Sequence, residues 1–167
     1  MLVRLESPAD HDAVRQVNLL AFANGAEARL VDELRDAEYA PLSLVADDNG
    51  QIVGHILFSD LTIQTSNGTV NSLALAPVAV SPGHQRQGIG SSLVKEGLRL
   101  CKERGHGIVV VLGHPEYYPR FGFSSKLAEP LICSFYSGPA LMALELVPGA
   151  LQGVSGELKY APPFQLV

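Results

Sequence analysis

Between Val70 and Leu112 the sequence changes its hydrophobic period twice, and this restricts the fold more than any other feature. Val70 to Val80 is an apolar, strand-like segment. After it, Ile89, Leu93, Gly97, Leu98 and Cys101 recur at the spacing of one helix face. Ile108 to Leu112 is then a nearly pure apolar run, the mark of a central strand buried on both faces. Strand, helix and second buried strand imply a crossover that lays the two strands parallel in one sheet. The first link is Val80-Ser81-Pro82-Gly83-His84-Gln85-Arg86-Gln87-Gly88-Ile89-Gly90-Ser91. It holds a turn-starting proline and two glycines that let the backbone come close to a ligand. The first-turn N–H groups of the helix have no acceptors within it, and the helix dipole points its positive end at them. Such a junction suits a phosphate-bearing ligand, and Arg86 adds a fixed positive charge with several donors.

The flanking sequence supplies the rest of a mixed sheet. Leu2-Val3-Arg4-Leu5 alternates as a strand, and Ser7-Pro8-Ala9-Asp10 reads as a helix start with Ser7 as N-cap. Ala13, Val17, Leu20 and Ala21 form the expected apolar face of that helix, which runs to about Ala23. A second helix is expected from Ala26 to Ala37, with Leu30, Val31 and Leu34 inward. Leu42 to Ala46, Gln51 to Gln64 and Thr69 to Val80 form an antiparallel meander, joined at Asp47-Asp48-Asn49-Gly50 and Ser66-Asn67-Gly68. Pro77 cannot donate to a ladder, so it marks a bulge or a place where pairing stops. The long helix stops near Arg104-Gly105. Late strands are expected at Leu131 to Phe135 and Ala140 to Val147, with the chain from Pro148 onward more tail than core. The expectation is one α/β domain over residues 1–167, core about 1–147 and tail 148–167. Its sheet is mixed, mostly antiparallel, with six or seven strands and helices on both faces.

Composition removes several function classes. The chain has 167 residues, 47% hydrophobic and 17% charged, with a net charge of −5. That acidic balance argues against nucleic acid, whose phosphates need a basic surface. Cys101 and Cys133 show neither metal spacing nor a disulfide framework, and the five histidines have no paired spacing for a metal. No apolar run approaches bilayer length. A reducing cytoplasm is the expected setting.

A second segment, His114-Pro115-Glu116-Tyr117-Tyr118-Pro119-Arg120-Phe121-Gly122-Phe123, follows the buried strand. Gln85-Arg86-Gln87-Gly88-Ile89-Gly90 together with Tyr118 and Gly122-Phe123 resembles the GNAT family of N-acetyltransferases. That family shows Gln/Arg-x-x-Gly-x-Gly/Ala at the start of the central helix and a tyrosine four residues before a Gly-Phe pair. Leu112 to Phe123 is also similar to a Leu-Gly-x-Pro-x-Tyr-Tyr-x-Arg-Phe-Gly-Phe segment of small bacterial members. The resemblance implies the acyl-CoA N-acyltransferase fold, acetyl-coenzyme A as donor without a metal, and an amine as acceptor. It implies a cofactor set of Val78, Ala79, Val80, Gln85, Arg86, Gln87, Gly88, Ile89, Gly90, Ser91, Leu112, Tyr117, Tyr118 and Phe121. In that set the pyrophosphate lies on the amides from Arg86 to Ser91, and pantetheine pairs with Val78 to Val80. A backbone N–H near Val78 then polarises the thioester carbonyl, worth roughly 3–4 kcal/mol in comparable oxyanion sites.

Acetyl transfer to an amine has two proton problems. An acceptor amine with a pKa of about 10.4 must lose a proton at pH 7, which costs roughly 4.6 kcal/mol. The departing thiolate must be protonated or stabilised, and the resemblance gives that role to Tyr118. For the base the alternatives are Glu27, at the start of the second helix, His114, Glu116, or a water chain to backbone carbonyls. His55 and Phe58 face either an acceptor pocket or the core, and His11, His84 and His106 read as surface residues. A dinucleotide fold is disfavoured, because Ser91-Ser92-Leu93 follows Gly90 where a third glycine is required. The competing function is a non-catalytic acyl-coenzyme A sensor or regulatory module on the same fold. The expected partners are a small-molecule or peptide amine and, through exposed late-strand edges, a second copy in a homodimer.

Overall fold

The computed structural model describes residues 1–166; Val167, the last residue of the stretch read above as tail, lies outside them. In chain order the elements are β1 (Leu2–Leu5), α1 (His11–Ala21), α2 (Ala26–Asp36), β2 (Leu42–Asp48), β3 (Gln51–Thr65) and β4 (Gly68–Val80). They continue with α3 (Ile89–Glu103), β5 (Ile108–Leu112), β6 (Leu131–Ile132), β7 (Leu141–Glu145) and β8 (Gly156–Tyr160). One mixed, mostly antiparallel sheet has the order β1-β2-β3-β4-β5-β7, with β8 paired to β3 and β6 to β8. The fold class is the expected one, with eight strands in place of six or seven. The addition is β8, from the segment expected to be a tail. The chain forms two compact units, and β3, β4 and α3 contribute residues to both.

The first unit comprises Met1–Ser59, Ala76–Arg99 and the end of the chain from Pro162. Strand β1 pairs antiparallel with β2, from Leu2↔Asp47 to Leu5↔Leu44. The β2–β3 turn has Asn49 at φ 53° and Gly50 at φ 92°, the two positive angles of a type I′ hairpin. A 3-10 turn, Pro8–Asp10, precedes α1. The Asp10 carboxylate accepts from the Ser7 backbone N–H at 2.8 Å and from both terminal nitrogens of Arg4 at 2.8 and 3.0 Å. These donors hold its pKa well below the usual carboxylate range, the Arg4 hydrogen bond contributing most.

The buried face of α1 is Val14, Val17 and Asn18, while Leu20 is 62% exposed, which corrects the expected stripe. The reason is Asn18: its amide donates to Val14 O at 3.0 Å and meets His55 Nδ1 at 3.1 Å, so a polar residue occupies the inner face. His55 and Phe58 are both fully buried and belong to the core. Helix α3 lies tight on β3. A Cβ at Gly54 would stand 3.0 Å from Ile89 and Leu93, and one at Gly97 would stand 2.5 Å from the Phe58 ring.

The second unit comprises Asp60–Leu75 and Leu100–Ala161. Strand β5 pairs parallel with β4 from Leu73↔Val109 to Leu75↔Val111, as the crossover requires. It pairs antiparallel with β7 from Ile108↔Glu145 to Leu112↔Leu141. The late strands are shorter than expected. Cys133 bridges to Tyr136, and the Tyr136 hydroxyl accepts the Ala140 N–H at 3.0 Å, so this stretch closes on itself as a loop. The segment after Pro148 is a correction as well. Strand β8 pairs with β3 from Leu61↔Tyr160 to Gln64↔Glu157, and Leu151 and Leu158 join a core cluster with Leu61, Ile63, Val110 and Leu131.

Candidate functional site

In the first unit the site is the end of β4, the loop behind it and the first turn of α3. Ala79 is buried while Val78 and Val80 are half-buried. The loop is anchored at its start: Ser81 N–H donates to Val53 O at 2.9 Å and His84 N–H to Ser81 O at 2.8 Å. Gln85 Nε2 donates to Val80 O at 3.1 Å, tying the loop back to the strand it leaves. Arg86 then takes φ 64° and Gly88 φ 82°. The left-handed conformation of Arg86 costs roughly 1–2 kcal/mol, so the surrounding loop imposes it. Gln85, Arg86, Gln87 and Gly88 are all exposed.

A Cβ at Gly88 would meet nothing within 4 Å. Internal packing therefore does not require that glycine; its positive φ and the open space before the helix do. The Ser92 N–H donates to Gly88 O at 3.0 Å, so the N–H groups of Gly88, Ile89 and Gly90 lie ahead of the first bond of this helical ladder. Ile89 and Leu93 are buried against Gly54, which fixes where the helix begins. The result is a fixed cradle of backbone donors with one cationic side chain, Arg86.

Glu27 is in the first turn of α2, as the sequence predicts. It is half-buried, and its Oε2 is shielded from solvent without a hydrogen-bond partner. His84, expected on the surface, is half-buried with a shielded and unpartnered Nδ1.

In the second unit the pairing of β5 to β4 ends at Leu75, two residues before Pro77, in line with the pairing stop read at that proline. Leu112, the last residue of β5, is 40% exposed, and Gly113 N–H donates to Ala140 O at 3.0 Å. The backbone N–H groups of Tyr117 and Tyr118 both donate to His114 O, at 3.0 and 3.3 Å. His114 therefore enters the site through its carbonyl, while its ring is exposed along with Glu116. The Tyr118 ring packs edge-on to Tyr117 at 5.1 Å and Phe123 at 5.7 Å, with Phe121 at 6.4 Å. Arg120 covers Tyr117, its guanidinium carbon 4.5 Å from the ring centroid.

Gly113 is a candidate site residue that the sequence reading missed. A Cβ there would run into Cε2 of Tyr118 and stand 2.9 Å from Cδ2, so only glycine lets the ring lie on the end of β5. The available signal was the glycine between an apolar strand and a tyrosine turn. Burial, with a smaller contribution from Tyr117, pushes the Tyr118 phenol up to about 12. Among the described residues its hydroxyl has no hydrogen-bond partner. It is thus a neutral, oriented donor across the physiological range. Cys101 offers no competing nucleophile, being buried on α3 with its thiol pushed up to about 12 by burial. Among the described residues no group of three or more His, Cys, Asp or Glu side chains is arranged to hold a metal.

Residues 3–125 match the family model of the acetyltransferase (GNAT) domain. The Escherichia coli N-acetyltransferase YhbS is 36% identical over 166 residues, 98% of each chain. Its crystal structure with coenzyme A superposes with a TM-score of 0.91 at 35% identity, covering 98% of this chain and 91% of that one. A GNAT-family acetyltransferase from Brucella melitensis, solved with acetyl-coenzyme A, gives 0.81 at 33% identity, covering 98% and 97%.

Proposed function

Because this chain belongs to the GNAT family of N-acetyltransferases, we propose that it moves the acetyl group of acetyl-coenzyme A onto an amine of a small molecule or peptide. The amine attacks the thioester directly while both substrates are bound, with no acetyl-enzyme. The observation that carries this reading is the cradle at Gly88. It combines a left-handed backbone, space where a side chain would stand, and the amides of Gly88 to Gly90, which precede the first bond of the helical ladder. Those groups fit a pyrophosphate, which accepts several hydrogen bonds and favours the positive end of a helix. The two relatives solved with coenzyme A and acetyl-coenzyme A support the same ligand here. The reading takes residues 1–167 as one catalytic domain in the cytoplasm.

The proposed cofactor contacts are Val78 to Val80, Gln85 to Ser91, Leu112, Tyr117, Tyr118 and Phe121. A backbone N–H at the end of β4 polarises the thioester carbonyl, and Tyr118 serves the sulfur. Donation from a phenol at about 12 to a thiolate near 8.5 is uphill by roughly 3.5 pK units, about 5 kcal/mol. In this role Tyr118 hydrogen-bonds the developing thiolate, and complete transfer waits until bound substrate brings the two pKa values together. Glu27 is the preferred base. Its shielded Oε2 has no hydrogen-bond partner and an acceptor ammonium would supply one, whereas His114 and Glu116 present their side chains to water.

Calorimetric titration with acetyl-coenzyme A tests the carrying observation. The wild-type chain is expected to bind at micromolar concentration, and Gly88→Leu to lose at least tenfold in affinity while its thermal midpoint falls by only a few degrees. No binding by the wild type, or a Gly88→Leu chain that binds normally, would overturn it.

A further inference from the structure

One side of β3 changes character along its length. Gly54, Ile56 and Phe58 are buried, with Gly54 close against Ile89 and Leu93 and Phe58 against Gly97 of α3. The next positions on that side are Asp60, Thr62 and Gln64, none of them buried. Helix α3 ends at Glu103 and the chain turns through Gly105 at φ 90°. The His106 N–H closes that turn onto Cys101 O at 3.0 Å.

Where the helix stops, a cavity of about 470 Å³ opens in the second unit. Its polar lining comes from three directions: Asp60 and Thr62 on β3, Asn71 and Ser72 on β4, and Arg104 and His106 after the helix. The Ser72 hydroxyl is used internally, donating to Leu61 O at 3.0 Å. Among the described residues the side chains of Asp60, Thr62 and Asn71 have no hydrogen-bond or ion-pair partner. Partial burial pushes the Asp60 carboxyl above its ordinary pKa, and His106, acting through space, counters that. Asp60 is exposed, and its carboxylate lines the cavity as an open ligand position.

The lining carries both signs. A simple anion would meet Asp60, and a simple cation would meet Arg104 and His106. A molecule with an ammonium and a carboxylate a few bonds apart satisfies both ends. We propose that this cavity binds a small zwitterion of the amino-acid or dipeptide class. Asp60, Asn71 and Thr62 take its ammonium, and Arg104 and His106 take its carboxylate. A volume of about 470 Å³ holds either size. The site shares no lining residue with the Gly88 cradle and does not depend on the acetyl-transfer reading.

The full chain is titrated calorimetrically with the twenty protein amino acids and a set of glycine-containing dipeptides. Any binder is then repeated in N-acetylated and C-amidated form, and against Asp60→Asn and His106→Gln. At least one free zwitterion is expected to bind saturably, at least tenfold more tightly than either blocked form. Its affinity falls at least tenfold in Asp60→Asn, while acetyl-coenzyme A binding is unchanged. Should Asp60→Asn disturb the fold, as read by its thermal midpoint, His106→Gln carries the same comparison. No saturable binding at millimolar concentration, equal binding of the blocked forms, or full affinity in the folded variants would overturn the proposal.

Discussion

Tyr118 has its ring held on four sides and its hydroxyl left open, and each constraint traces to a named neighbour. Tyr117, Phe121 and Phe123 fix the ring edges and Gly113 gives it a floor. Gly113→Ala is therefore expected to act through Tyr118. Overpacking of this kind costs typically 1–3 kcal/mol, and turnover should fall by an order of magnitude or more with acetyl-coenzyme A affinity little changed. Steady-state kinetics beside calorimetry separates the two effects. The pH dependence follows from the same burial. With the phenol raised to about 12, its protonated form persists as pH rises from 7 to 10. The rate should climb over that range as the acceptor amine loses its proton, with no descending limb from Tyr118. A fall in kcat centred near pH 9 that disappears in Tyr118→Phe would contradict this.

At the scale of elements, the buried group joining α1 to the sheet is His55. It meets Asn18 Nδ2 at 3.1 Å through Nδ1 and Ser43 Oγ at 2.9 Å through Nε2. Because Asn18 Nδ2 can only donate, Nδ1 accepts and Nε2 carries the proton. Burial, helped by the charge of Arg35, drives the His55 pKa down to about 3. The folded state keeps this ring neutral while the unfolded chain protonates it below about 6.5. Stability from His55 is thus fully present above pH 6.5 and is lost as pH falls toward 3. Urea midpoints should decline between pH 6.5 and 4, ahead of the carboxylates, and His55→Leu should flatten that slope. An unchanged slope in the variant would remove the role.

The crossover of β4, α3 and β5 was legible because each element carries an apolar pattern of its own period and the glycine loop separates β4 from α3. The inner face of α1 was not, since Asn18 and His55 are polar residues whose burial depends on each other and leaves no hydrophobic trace. In the site, the glycine loop and Tyr118 could be read from motif and spacing. The floor at Gly113 and the shielded oxygen of Glu27 depend on neighbours that only the folded chain brings close.

For the whole molecule, the segment after Pro148 adds the eighth strand of the sheet and part of the second unit's core. Strand β8 is short, and its Gly156 lies so close to β3 that a Cβ would strike the Gln64 carbonyl. Its signal was weak for that reason: five residues, one of them glycine, behind a run rich in turns. Leu158 on β8 is 3% exposed within the second unit's core cluster. Leu158→Ala should cost about 2–5 kcal/mol, read as a lower denaturant midpoint with an unchanged slope. A loss below about 0.5 kcal/mol would return this segment to the status of a tail.

The central claim is that an amine takes the acetyl group with Tyr118 attending the sulfur, and thiol release measures it most directly. Acetyl-coenzyme A incubated with the chain and a panel of small-molecule and peptide amines should release free thiol in an amine-dependent way. In Tyr118→Phe that release should drop roughly a hundredfold, the scale of a lost acid–base group, at unchanged acetyl-coenzyme A affinity. Thiol release that ignores the amine, or a Tyr118→Phe chain with wild-type turnover, would contradict the account.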